Sequence, residues 1–194
     1  MMIMRCGKTL SLSFIAFVVV SSYLFADLRV TKISRSGTDV SVCLNDDIVI
    51  SNVVLLKNND LKLPKYHKGS RQYTQFSILK RDFKQYLIDA LSNNRTSSKI
   101  KSTSFKINKF SIFIGKHETI RAFASVIFDD DIEVECRVMR GRDGLWVAWP
   151  CNKINGVWAK NLKFINRNLK KQIEQELITR YTSVVNKNVK VESN

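Results

Sequence analysis

Between Pro150 and Glu174 every charged residue is a cation: Lys153, Lys160, Lys163, Arg167, Lys170 and Lys171. Trp158 and Phe164 are interleaved with them. Side chains of this kind neutralise phosphates, release counterions and offer ring faces to unpaired bases. A second acid-free run, Leu61 to Arg81, repeats the theme with Lys62, Lys65, Lys68, Arg71, Lys80 and Arg81 around Tyr66, Tyr73 and Phe76. The whole chain leans the same way, with 32 Lys+Arg against 17 Asp+Glu and a formal net charge of +15. That balance favours a polyanionic partner, whether nucleic acid, anionic lipid or acidic envelope polymer, without choosing among them.

Other chemistries find little support. The two histidines, His67 and His117, fall in expected loops with no Ser/His/Asp, Cys/His or Gly-rich phosphate motif beside them, so no enzyme is expected. The four cysteines include no CxxC and no histidine at ligand spacing, which argues against zinc, and no cofactor is implied. Cys43 and Cys136 fall in expected strands, as small buried thiols or as partners in a bridge. Asp129-Asp130-Asp131 and Asn45-Asp46-Asp47 read as solvated hairpin turns, since neither has calcium-loop spacing.

The elements that must position the cations come in two sets. Val40 to Ile48 matches Ala124 to Ile132, Leu63-Pro64 matches Trp149-Pro150, and Leu79, Phe83, Leu87 and Leu91 match Leu169, Ile173, Leu177 and Tyr181. The three matches keep their order while their spacing grows only across loops, which is how a repeat behaves. The expected fold is α+β, with two tandem β-β-β-β-α units, each a small antiparallel sheet with a C-terminal helix. In the second unit the strands are expected at 105–114, 119–128, 132–140 and 145–149, with a helix over 167–182. Trp146 and Trp149 read as core, while Trp158 divides evenly between core and surface.

Residues 1–26 carry a basic start (Arg5, Lys8), an apolar stretch from Leu10 to Val20 and a short processing zone ending at Ala26. This is an N-terminal hydrophobic signal segment, or a membrane anchor through residues 9–26. It predicts an exported, periplasmic or secreted chain; a misassigned start would leave it cytoplasmic. The expected division is then 1–26 signal, 27–91 first unit, 92–104 flexible basic linker, 105–183 second unit and 184–194 flexible tail.

The second unit, IRAFASVIFDDDIEVECRVMRGRDGLWVAWP followed by INRNLKKQIEQELITRY, resembles the SpoVG family of bacterial septation and sporulation regulators. Arg121-Ala122, Ala124-Ser125, Gly141, Gly144-Leu145, Val147-Ala148, Pro150, Ile165-Asn166, Ile173 and Tyr181 carry the resemblance, and the first unit fits more loosely. The resemblance implies a small α+β protein that self-associates and binds DNA or RNA through the post-proline loop and the next helix. Lys153, Lys170 and Arg167 carry over by position. Asn152 stands where the family has a basic residue. Lys160, Lys163, Lys171 and the first-unit set Lys65, Lys68, Arg71, Lys80 and Arg81 rest on charge alone. Two units in one chain could pair as an intramolecular pseudo-dimer. The alternative is an exported, non-enzymatic interaction protein that uses the same surface for an anionic envelope polymer or a protein partner.

Overall fold

The computed structural model describes residues 28–37, 39–99, 101–113, 119–154 and 156–191. The expected signal segment, with Cys6, and His117 lie outside the described residues. In order the elements are β1 (Val30–Ser36), β2 (Asp39–Leu44), β3 (Ile48–Leu55), β4 (Leu61–Lys62), β5 (Lys65–Lys68), β6 (Arg71–Thr74), β7 (Phe76–Ile78) and α1 (Arg81–Ser92). After them come β8 (Phe105–Ile112), β9 (Ile120–Phe128), β10 (Ile132–Gly141), β11 (Gly144–Ala148), β12 (Cys151–Ile154), β13 (Val157–Lys160), β14 (Leu162–Phe164) and α2 (Arg167–Val191). The architecture is α+β, and the pairings are antiparallel.

Two main sheets form, and each takes a strand from the other end of the chain. The first runs β1-β2-β3-β14 with β4 also on β3, and the second runs β11-β10-β9-β8 with β7 also on β10. Leu162 pairs with Ile50 and Phe164 with Ile48. Reciprocally, Phe76 pairs with Val134 and Ile78 with Ile132. The three-residue strands β7 and β14 are thus exchanged arms, each completing the sheet it does not belong to by sequence.

Alternation explains the sheets. Ala122, Ala124, Val126 and Phe128 on β9 and Ile132, Val134, Cys136 and Val138 on β10 are buried on one face. Helix α1 covers its side with Phe83, Leu87, Ala90 and Leu91, and α2 contributes Leu169, Ile173 and Leu177 at four-residue spacing. Each large apolar side chain so buried contributes about 2 kcal/mol against solvent exposure. The cluster is continuous through both sheets and both helices.

Several expectations change. The post-proline segment expected as a loop is a two-stranded ribbon, β12–β13, plus the arm β14, and 65–78 is built the same way. Helix α2 runs on to Val191 where a tail was expected. Cys43 and Cys136 are buried free thiols. Burial, with Glu135 and Glu174 nearby, pushes the Cys136 thiol up to about 12.

The linker is tied down. Ser97 N–H donates to Val30 O (2.8 Å), Lys99 Nζ to Asp47 Oδ1 (2.9 Å), Thr103 N–H to Asp47 Oδ2 (3.1 Å) and Ser104 N–H to Asp129 Oδ1 (3.0 Å). Its lysines face protein carboxylates. Those carboxylates also correct the solvated-turn reading: Asn45, Asp47, Asp129 and Asp131 are all buried. The turn geometry itself is as expected, with Asn45, Asp46, Asp129 and Asp130 at positive φ, where short polar side chains are tolerated.

Candidate nucleic-acid interface

The two basic runs fold into matching ribbons. In β5–β6, Lys65 pairs with Thr74, Tyr66 with Tyr73, His67 with Gln72 and Lys68 with Arg71. In β12–β13, Cys151 pairs with Lys160, Asn152 with Ala159, Lys153 with Trp158 and Ile154 with Val157. The ribbons lie side by side, β5 against β12. Their feet are joined: Gln75 Nε2 donates to Cys151 O (3.1 Å), and Asn161 Nδ2 donates to Gln75 Oε1 (2.6 Å). Beyond the foot most ribbon side chains are exposed, Lys65, His67, Lys68, Arg71, Gln72, Lys153, Trp158 and Lys160 among them.

Side-chain alternation sorts each ribbon into two faces. On β12–β13 one face carries Lys153, Trp158 and Lys160, all exposed, with the Trp158 indole 58% accessible. An exposed ring between two lysines has the chemistry to stack on an unpaired base while the cations neutralise phosphates. The matching face of β5–β6 carries Lys65, His67, Gln72 and Thr74, also exposed but without a ring. Its other face holds Tyr66 and Tyr73, ring centroids 6.0 Å apart, with Lys68 and Arg71.

That second face meets the open side of the β8–β11 sheet. The Arg137 guanidinium lies 5.6 Å from the Tyr66 ring and 5.8 Å from Phe123, and Phe123 is 43% exposed. Trp146, placed in the core from sequence, is half exposed on β11 opposite Met139. The alternation Leu145, Val147, Trp149 inward against Trp146, Ala148 outward was the available signal. Trp149 does pack inside: it sits 4.7 Å from Phe164 and donates its Nε1–H to Glu174 Oε1 (2.8 Å). Phe164, held between Trp149 and Phe128, is not a free stacking ring.

The remaining cations scatter around this centre. Lys163 is exposed on β14, and Arg81 and Arg167 open α1 and α2. Lys171 is exposed one turn on, while half-buried Lys170 reaches Glu174 at 3.5 Å. The first turn of α2 contains no acid, so the cations there add to the helix-terminal positive potential. Lys80 is drawn elsewhere, bound to the buried Asp131 at 2.9 Å. Cys151 is a half-buried free thiol: burial raises it, and nearby Arg137 only partly counters that. Among the described residues no group of three His, Cys, Asp or Glu could hold a metal, and no helix is long and apolar enough to cross a membrane.

The α+β core with its exchanged arms thus carries two adjacent basic ribbons at its surface. The chain belongs to the SpoVG family. The family profile, SpoVG, matches residues 100–183. A protein of Phytoplasma australiense named for septation, SpoVG, is 30% identical over 89 residues, which is 45% of this chain and 88% of that protein. No solved structure matches.

Proposed function

We propose that this chain binds nucleic acid through its paired ribbons, with unpaired strands preferred, in a septation-related role suggested by the name of its Phytoplasma relative. The observation that carries the reading is the exposed Lys153–Trp158–Lys160 face beside Lys65, Lys68 and Arg71, on ribbons with no acid on either. Cations at this spacing track a phosphate backbone, and the exposed indole adds sequence-tolerant stacking, a combination suited to single strands. Arg137, Phe123 and Trp146 extend the platform onto the open sheet.

The test is titration with single-stranded and duplex oligonucleotides at two salt concentrations. Trp158→Ala is expected to weaken single-strand binding roughly tenfold, about 1–3 kcal/mol, and to spare duplex binding. Lys153→Ala with Lys160→Ala should weaken both and flatten the salt dependence. Wild-type affinity in both variants would sink the reading. The apolar N-terminal stretch favours a second one, an exported chain using the same cations for an anionic envelope polymer. Fractionation with N-terminal sequencing separates the two: a mature start near Asp27 outside the cytoplasm favours the polymer.

A further inference from the structure

The contacts between residues 28–92 and 103–183 come in reciprocal pairs. Leu79 N–H donates to Asp131 O and Ile165 N–H to Asp47 O, each at 2.8 Å. Leu28 N–H donates to Asp131 Oδ2 (2.9 Å), and Thr103 N–H to Asp47 Oδ2 (3.1 Å). Glu135 N–H reaches Gln75 O (3.0 Å), and Ser51 N–H reaches Asn161 O (2.9 Å). These pairs relate turn and strand positions 84 residues apart, arm positions 86 apart and the segments leading into β1 and β8 (Leu28 and Thr103) 75 apart. At the first two spacings, two contacts join a residue to its own counterpart. Asn45 Nδ2 meets Asp129 Oδ2 at 3.5 Å across a separation of 84, and Asn161 Nδ2 meets Gln75 Oε1 at 2.6 Å across 86. In a two-fold association only residues on the axis touch their own copy.

At both axial contacts the two residues differ, and the difference is complementary. The Asn45 amide donates to the Asp129 carboxylate, and all four side chains are buried. If the C-terminal half paired with the same half of a second chain, Asp129 would face Asp129. Two buried carboxylates at that separation repel, and no amide would stand between them. Asn45 removes that conflict. The linker adds to the preference by bringing Lys99 onto Asp47 and Ser104 onto Asp129 within one chain.

We infer that the surface around Asp129 and β10 is a pairing surface whose partner is the N-terminal half of the same chain, and that Asn45 opposite Asp129 excludes a second copy from it. Two consequences are measurable on the whole protein. Native mass spectrometry should give the mass of one chain. Asn45→Asp places like charges on the axis and should lower Tm by roughly 10 °C. The exchange Asn45→Asp with Asp129→Asn restores an amide against a carboxylate in reversed order and should recover more than half of that loss. Should Asn45→Asp fail to fold, recovery is read as soluble, cooperative folding of the exchanged protein. A two-chain mass, a double variant as poor as the sum of its single changes, or an exchanged protein that also fails to fold would each overturn the inference.

Discussion

The ribbon at 65–74 and the ribbon at 151–160 share one register, pair for pair, and almost no chemistry. One shows Lys153, Trp158 and Lys160 to solvent where the other shows His67, Gln72 and Thr74. Their supports diverge in the same way. Lys80 and Asn166 occupy matching places just before the two helices, and each reaches the buried aspartate of the opposite turn. Lys80 does so as an ion pair with Asp131 (2.9 Å), and Asn166 as a neutral donor to Asp47 (2.9 Å). Asn166 Oδ1 also accepts from Asn168 N–H and Leu169 N–H (3.1 Å each), capping α2, whereas α1 has no side-chain cap. The cation missing at Asp47 is supplied by Lys99 from the linker. Backbone pairing is therefore the constrained quantity, and the side chains that satisfy it are interchangeable.

The largest expected effect tests whether the two halves are one cooperative body. Phe83 under α1 and Leu177 under α2 are fully buried in one cluster. Phe83→Ala and Leu177→Ala should each cost about 3–4 kcal/mol, and both should shift a single calorimetric transition. A second transition that stays put in either variant would mean that the halves unfold separately and the exchanged arms do not couple them.

A smaller effect separates the two turn aspartates by their donors. Burial drives the Asp47 carboxyl up, but hydrogen bonds from Lys99, Thr103 and Asn166 outweigh it and hold the carboxyl below its ordinary value. A depressed value means stability that is fully present above about pH 4 and is lost as pH falls through the lower, folded-state value. Asp47→Asn should accordingly lower Tm at pH 7 and flatten the Tm-against-pH curve in the acid range. A variant as steep as wild type below pH 4 would show that Asp47 is not the group responsible.

Much of the C-terminal half was legible because its signals are local. Alternation from Ile132 to Val138, turn residues at 141–144 and four-residue spacing from Leu169 to Leu177 each fix an element within a few residues. The exchanged arms were not legible. A three-residue strand such as 76–78 has no period to detect, and its partner lies more than fifty residues away. The turn carboxylates misled for a related reason: Asp-rich turns are solvated unless another turn packs on them, and that second turn is remote in sequence. The same remoteness hid that Lys99 and Lys101 of the expected basic linker are partners of Asp47 and Asp129. Trp146 was a misread period, since the run Leu145–Trp149 looks uniformly apolar until its parity is counted.

The finest test asks whether the second ribbon is a contact or only a scaffold. Lys68 and Arg71 pair across β5–β6, and both are exposed; Lys153 and Lys160, also exposed, share one face of β12–β13. Each lysine that touches a phosphate adds close to one unit to the slope of log affinity against log salt, and removing it subtracts about that much. If both ribbons meet the strand, Lys68→Ala and Arg71→Ala should together flatten the slope as much as Lys153→Ala and Lys160→Ala do, with no change in base preference. If the first ribbon only braces Arg137 through Tyr66, its pair leaves the slope unaltered, while Tyr66→Ala, which frees Arg137 from the ring 5.6 Å away, weakens binding. Equal slopes would assign one extended site to two chemically different ribbons. An unequal result would assign recognition to the Trp158 ribbon and support to its counterpart.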